Sequence, residues 1–206
     1  MGTFITLEGI DGCGKSTQSV LLSRWLEDYT GRETVRTYEP GGWSGGNALR
    51  EMVLSMDLYA KSELLLFMAD RSEHIINIIA PALKADHNVL CERYNDSSIA
   101  YQSGGHRLKI DLVRRLIKAG NFLEPDITIL YDIEPAKAVE RLNARKRNDR
   151  FENEGLDMLK RVSIVYRRLA KSYPERIKLI KVDDMSVVDV FNKTTEIIKN
   201  SCVLFK

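Results

Sequence analysis

Cysteine is scarce in this 206-residue sequence: Cys13, Cys91 and Cys202 are far apart and form no C-x-x-C pair. That excludes a disulfide framework and a cysteine-rich zinc site, and it favours reduced thiols and a cytoplasmic location. The three histidines, His74, His87 and His106, have no metal-ligand spacing. Charge of one sign is also missing, because 31 Lys and Arg stand against 29 Asp and Glu, a formal net charge of +2. A broad basic face for nucleic acid or anionic membrane is therefore not expected. No apolar run approaches the length of a membrane span, and Met1-Gly2-Thr3-Phe4 lacks the basic stretch and long apolar segment of a leader, so neither secretion nor membrane insertion is expected. There is no internal repeat and no low-complexity linker, and the length suits one well-buried core, so residues 1–206 read as a single domain.

What is present is concentrated first in Gly9-Ile10-Asp11-Gly12-Cys13-Gly14-Lys15-Ser16-Thr17, directly after the apolar run Phe4-Ile5-Thr6-Leu7. Gly9 to Ser16 fits G-x-x-x-x-G-K-[ST], the phosphate-binding loop. The glycines allow the backbone to curve its N–H groups around a polyphosphate. Lys15 then reaches the β- and γ-phosphates, the Ser16 hydroxyl suits Mg²⁺, and the helix that follows directs its N-terminal dipole at the anion.

Behind the loop, Lys15 to Tyr29 carries a helical apolar stripe that ends near Gly31. Thr34 to Tyr38 reads as a second strand, stopped by Glu39-Pro40-Gly41-Gly42. Gly46 to Met56 and Ser62 to Lys84 read as helices, the latter kinked or loosened by Pro81 in its last turns. Asn88 to Glu92 is a third strand. Asp96 or Ser97 is expected to cap a short helix through Tyr101, followed by a flexible turn, Gln102-Ser103-Gly104-Gly105-His106. Lys109 to Ala119 is a helix closed by Gly120. Ile127 to Asp132 is a strand, and Pro135 starts a helix. Arg141 to Glu154 is rich in charge with few apolar anchors, after which Leu156 to Tyr173 and Val187 to Lys199 are helices around a fifth strand, Ile177 to Val182. Alternating strands and helices imply an α/β fold with a parallel five-stranded sheet and helices on both faces. Ligands of such sheets bind beyond the carboxyl ends of the strands, which directs attention to Asp11–Thr17, Glu39–Gly42, Glu92–Ser98 and the segment after Asp132.

Three constellations outside the loop have chemistry to offer. At the end of the third strand, Glu92 can orient a metal-bound water and Arg93 can grip a phosphate with two N–H groups; an ordinary surface ion pair is the competing reading. Phe67 and Arg71, four residues apart on one helix face, can stack on and hydrogen-bond a nucleobase, although Phe67 taken alone suits the core. The run Arg145-Lys146-Arg147-Asn148-Asp149-Arg150 can close over polyphosphate as a lid, or it is a solvated basic turn.

Together, Gly9 to Gln18, Glu39-Pro40-Gly41-Gly42, Leu66 to Arg71, Glu92 to Gln102 and Asp149-Arg150-Phe151-Glu152 resemble, in order and spacing, the successive motifs of bacterial thymidylate kinases. The resemblance covers nearly the whole chain and implies a P-loop three-layer fold with a short lid at about residues 143–154. It implies transfer of the γ-phosphoryl group of ATP to dTMP with Mg²⁺, in a cytoplasmic homodimer packed through its long helices. By resemblance, the loop from Gly9 to Thr17 holds ATP, with Ile10, Gly12, Cys13 and Gly14 contributing backbone, and Ser16 and Glu92 serve the metal. Asp11 faces the deoxyribose 3′-hydroxyl and the metal region, and Glu39 belongs to the acceptor side. Phe67 stacks on thymine, Arg71 bonds its O4, and Ser98 and Gln102 lie along the base edge. Tyr101 sits under the sugar, Arg93 and Arg50 grip the dTMP phosphate, and Lys15, Asp11, Arg93 and the lid arginine Arg150 form the catalytic set. Gly12 and Arg150 match the subtype that keeps its catalytic arginine in the lid.

Three positions depart from the family pattern: Tyr38 replaces an arginine, Trp43 a threonine and Glu92 an aspartate. They bear on acceptor affinity and leave two alternatives in view, a kinase for another nucleoside monophosphate or a deoxynucleoside, and a degraded nucleotide-binding homologue. A GTPase switch is disfavoured, because Asn192-Lys193-Thr194-Thr195 lacks the aspartate of a guanine-reading motif and lies inside the final helix.

Overall fold

A computed structural model describes residues 2–144, 155–201 and 203–205. Arg150, almost all of the expected lid and Cys202 lie outside the described residues. The strands are β1 (Phe4–Glu8), β2 (Thr34–Tyr38), β3 (Asn88–Glu92), β4 (Ile127–Asp132) and β5 (Ile177–Lys181). They form one all-parallel sheet in the order β2-β3-β1-β4-β5. Every residue of β1 and β4 is buried, as near-continuous apolar strands should be when both sheet faces are covered.

The helices are α1 (Lys15–Thr30), α2 (Gly46–Ser55), α3 (Ala60–His74), α4 (Ala80–Lys84), α5 (Asn95–Ser98), α6 (Ile110–Gly120), α7 (Pro135–Asn143), α8 (Leu156–Ser172) and α9 (Val187–Asn200). From β1 the chain crosses to β2 in one direction and later to β4 in the other, so right-handed crossovers place helices on both faces. Tyr38, Glu92 and Leu7 stand level in the register. The segments that begin at Gly9, Glu39 and Arg93 therefore leave the same edge of the sheet, and the site forms there.

One local expectation, the loosening of the long helix by Pro81 in its last turns, takes the form of a π segment, and three others are corrected. The long helix ends as α3 at His74, passes through a widened π segment, Ile75–Ile79, and resumes as α4 with Pro81 in its first turn. Pro81 has no N–H and its ring crowds the carbonyl of Asn77, so the hydrogen-bond register opens in the turn before the proline. Gln102 to Gly105 is not a flexible turn but part of a second π segment, Ile99–Gly105, continuous with α5. Its glycines are packing sites: a Cβ on Gly105 would lie 2.5 Å from Met158 of α8. Arg161 of the same helix donates to the carbonyls of Gly104 and Gly105 at 3.0 and 3.1 Å.

Neither Asp96 nor Ser97 caps α5. The cap comes from the strand before the phosphate loop, where Glu8 Oε1 accepts from the backbone N–H of Tyr94 (2.8 Å) and Ser97 (3.2 Å). Asp96 instead takes two hydrogen bonds from Arg176, at 2.7 and 2.9 Å. Finally, α6 runs through Gly120, and the left-handed closing residue is Asn121.

Candidate active site

The phosphate loop is held from inside by its own lysine. Lys15 Nζ donates to the carbonyls of Gly9 and Ile10 at 2.9 and 3.1 Å, so the ammonium lies within the curve of the loop. Ile10 and Cys13 turn their side chains into the core, which leaves their backbone to serve the loop. Gly12 has φ +83°, and a Cβ there would lie 2.6 Å from the carbonyl oxygen of Ala138 in α7. Backbone conformation and the neighbouring helix both exclude a side chain from this position.

The loop faces a cleft of about 390 Å³. Its lining gathers the residues singled out in separate parts of the sequence: Asp11, Lys15 and Ser16 from the loop, Glu39 and Arg50, Phe67 and Arg71 from α3, Glu92 and Arg93, and Ser98, Tyr101 and Gln102 beyond them. Gly12 and Gly14 also line it, whereas Gly9, Ile10, Cys13 and Thr17 do not.

Near the loop, Arg93 acts as a clamp. Its Nη2 donates to Asp11 Oδ1 at 2.5 Å and to the Tyr101 hydroxyl at 3.1 Å, while Nη1 reaches the Gly9 carbonyl and Ser97 Oγ, both at 3.3 Å. Tyr101 donates to the other Asp11 oxygen at 2.8 Å. Burial would raise the Asp11 carboxyl, but Arg93, then Lys15, and the hydrogen bonds from Tyr101 and Arg93 outweigh it and hold the group well below the usual carboxylate range. Asp11 is thus ionised at any ordinary pH.

On the opposite side, Arg71 is buried and pairs with Glu39 through Nε (2.8 Å) and Nη2 (2.7 Å), with Nη2 also reaching Ser98 Oγ at 2.9 Å. Its Nη1 has no acceptor among the described residues. Glu39 is steadied in turn by His74 Nδ1 at 3.1 Å, and His74 Nε2 meets Thr37 Oγ1 at 2.6 Å. His74 therefore has a place in the site that its lack of metal-ligand spacing did not signal. Phe67, one turn before Arg71, lines the cleft while also packing against the core. Gln102 Nε2 donates to the buried Glu63 at 3.0 Å.

Arg50 donates from Nη1 to the Pro40 carbonyl at 2.8 Å, and its guanidinium stands 5.3 Å from the ring centroid of Tyr38. The aromatic ring at this departure from the family pattern thus faces a cation in place of supplying one. At another departure, the longer side chain of Glu92 accepts from Ser16 Oγ at 2.5 Å. A hydroxyl and a carboxylate in contact beside Lys15 are the hard oxygen donors that suit Mg²⁺, so the residues present fit the metal.

Sequence reasoning overlooked Glu8. It is fully buried at the end of β1, accepts from Ser97 Oγ at 2.6 Å and the Tyr166 hydroxyl at 2.8 Å besides its two backbone donors, and is pushed up by burial and then by Asp96. The signal was available: a lone carboxylate at the end of an apolar strand, one residue ahead of the phosphate loop.

The thymidylate kinase family model matches residues 7–193 of the chain. The chain belongs to the thymidylate kinase family. Among curated relatives, the thymidylate kinase of Thermosipho melanesiensis is 42% identical over 197 residues, covering 95% of this chain and 96% of that one. That of Rickettsia africae is 40% identical over 190 residues, covering 92% and 93%. The crystal structure of thymidylate kinase from Ehrlichia chaffeensis superposes with a TM-score of 0.80 at 32% identity, covering 96% of this chain and 98% of the other. The five-stranded parallel sheet with helices around it is the thymidylate kinase P-loop fold.

Proposed function

We infer that this chain is a thymidylate kinase that transfers the γ-phosphoryl group of ATP to dTMP, giving ADP and dTDP. The observation that carries the acceptor reading is Arg71, a buried guanidinium in the cleft wall with one N–H group unmatched among the described residues. A buried donor without a partner costs about 1–3 kcal/mol, and a base carbonyl such as thymine O4 relieves it, whereas the amino group of cytosine brings a second donor. Phe67 supplies the stacking face, and Ser98 and Gln102 the base edge. Tyr101, tied to Asp11, lies under the sugar.

The reaction requires no protein nucleophile, because an acceptor phosphate oxygen attacks. The chain's work is to bring two anions into line and neutralise them. Lys15 and the loop backbone hold the donor phosphates, Arg50 and Arg93 hold the acceptor phosphate, and Asp11 fixes Arg93. Ser16, with Glu92 behind it, would hold Mg²⁺, which supplies further neutralisation of the donor phosphates when bound. A homodimer packed through the long helices is supported by Leu65 and Ile76, which are 56% and 64% exposed along α3 and its continuation. Among the described residues no helix is long and apolar enough to cross a membrane. Cys13 and Cys91 are free thiols, which supports a reducing, cytoplasmic setting.

A coupled ADP-release assay across dTMP, dUMP, dGMP, dCMP and thymidine tests the function, with dTMP expected to give the highest kcat/KM. A better rate with another acceptor would replace dTMP in the reading; ATP binding without transfer to any acceptor would make the chain a degraded nucleotide-binding protein. Phe67→Ala is expected to weaken dTMP binding by about tenfold, in keeping with the ~1–3 kcal/mol of a base–aromatic stack. Unchanged dTMP affinity in a titration would return Phe67 to a purely core role.

A further inference from the structure

The acceptor side of the cleft depends on a turn, Glu39–Gly42, that leaves β2 and has to be held against α3. Glu39 is held by Arg71 and His74. The next attachment is Asp70, which is fully buried one residue before Arg71. Its carboxylate accepts the backbone N–H of Gly41, at 3.1 Å to each oxygen, and the indole Nε1–H of Trp43 at 2.9 Å. The indole also lies against the backbone beyond the turn: a Cβ on Gly45 would be 2.3 Å from Trp43 Cζ3, and the Trp43 carbonyl accepts from Gly46 N at 3.0 Å.

Two elements of the acceptor grip hang on this turn. Arg50 is anchored to the Pro40 carbonyl, and the aliphatic stem of Arg50 packs where a Cβ on Gly41 would meet it at 2.9 Å. Glu39 sets the direction of Arg71. A buried carboxylate that loses one of its donors can satisfy itself by shifting toward another, and here the other donor is the N–H of Gly41 in the turn itself. Trp43 does not itself line the cleft, and its hydrogen bond to Asp70 is its link to the turn that does.

We propose that Trp43 is a positioning residue for the nucleoside monophosphate acceptor: its indole N–H completes the Asp70 carboxylate and so holds the Glu39–Gly42 turn, Arg50 and Arg71 at the spacing the acceptor needs. This inference rests on the acceptor reading of the cleft. The family pattern has a small hydroxyl residue at this position, so a bulky indole there is a different fastening for the same turn. Because the effect is on placement of the bound acceptor and not on the transferring group, it belongs in KM for the acceptor and leaves ATP alone.

The variant Trp43→Phe removes the donor together with the outer ring atoms that lie against Gly45, whereas Asp70→Asn leaves the indole in place. Steady-state kinetics are expected to show KM for dTMP raised about tenfold, the usual worth of a hydrogen bond to a charged group, with kcat and KM for ATP within about twofold of wild type. Asp70→Asn is expected to raise the dTMP KM similarly, and Trp43→Phe/Asp70→Asn to be far from additive. A second readout does not depend on turnover. Trp25, stacked on Tyr29 in α1, is the other of the two tryptophans, so in a Trp25→Phe background the emission belongs to Trp43, and dTMP is expected to shift it while ATP does not. An unchanged dTMP KM in Trp43→Phe, an equal rise in the ATP KM, or additive single effects would overturn the proposal. Failure of the wild-type enzyme to phosphorylate dTMP would instead overturn the functional reading, so the two failures are distinct.

Discussion

Arg93→Met is expected to lower kcat/KM for dTMP by about a hundred- to a thousandfold, because one side chain reaches Asp11, Gly9, Ser97 and Tyr101 at the loop. Removing one member of a buried ion pair costs about 3–5 kcal/mol, since the other charge is left uncompensated. Asp11 keeps partial contact with water, which places the loss at the lower end of that range. The variant would suffer twice, through a missing phosphate ligand and through a carboxylate released beside two anionic substrates. Arg93→Met/Asp11→Asn is therefore expected to recover part of the loss, and Arg93→Lys, which keeps the charge without the fork, to fall between. Steady-state kinetics on the four proteins decide it; a single-variant loss under tenfold would remove Arg93 from the phosphate grip. Acid behaviour gives a parallel check. Asp11 has a folded value below its ordinary 3.8, so it contributes stability that is present above that pH and lost as the pH falls toward the folded value. Without Arg93 that contribution shrinks, and thermal unfolding of Arg93→Met should vary less with pH in the acid range than that of the wild type.

Arg150→Ala is expected to lower kcat by about a hundredfold or more while changing ATP affinity only modestly. Lys15 is the one cation that the phosphate loop itself carries, and Gly12 leaves no room for another. Charge that develops on the transferring group thus needs a second source, and the sequence offers it in the segment around Arg150, outside the described residues. A cation that acts in the transition state moves kcat and kcat/KM together, which separates it from one that only binds ATP. A near-wild-type turnover number would sink the assignment.

Much of this site was legible because polar and charged residues at strand ends stand out against apolar strands. Gly9 to Thr17, Glu39 and Glu92–Arg93 each lie at or just beyond the end of a strand, and Phe67 and Arg71 share a helix face by spacing alone. What could not be read were partners distant in the chain. Nothing near Glu8 in sequence points to Tyr94, Ser97 or Tyr166, and nothing near Asp70 points to Trp43. The two π segments escaped for a related reason. Their widened turns depend on a proline's missing donor in one case, and on close contact with α8 in the other, where Gly104 and Gly105 look like loop residues until a packed helix is placed against them.

The contact between Gly12 and Ala138 also bears on how such an enzyme can change over generations. An arginine introduced at position 12 by one codon change would collide with the backbone of α7, and a backbone obstacle is not removed by trimming a side chain. Any side chain at position 12 thus requires α7 to be re-seated first, so the main chain of a neighbouring helix holds this loop position to glycine.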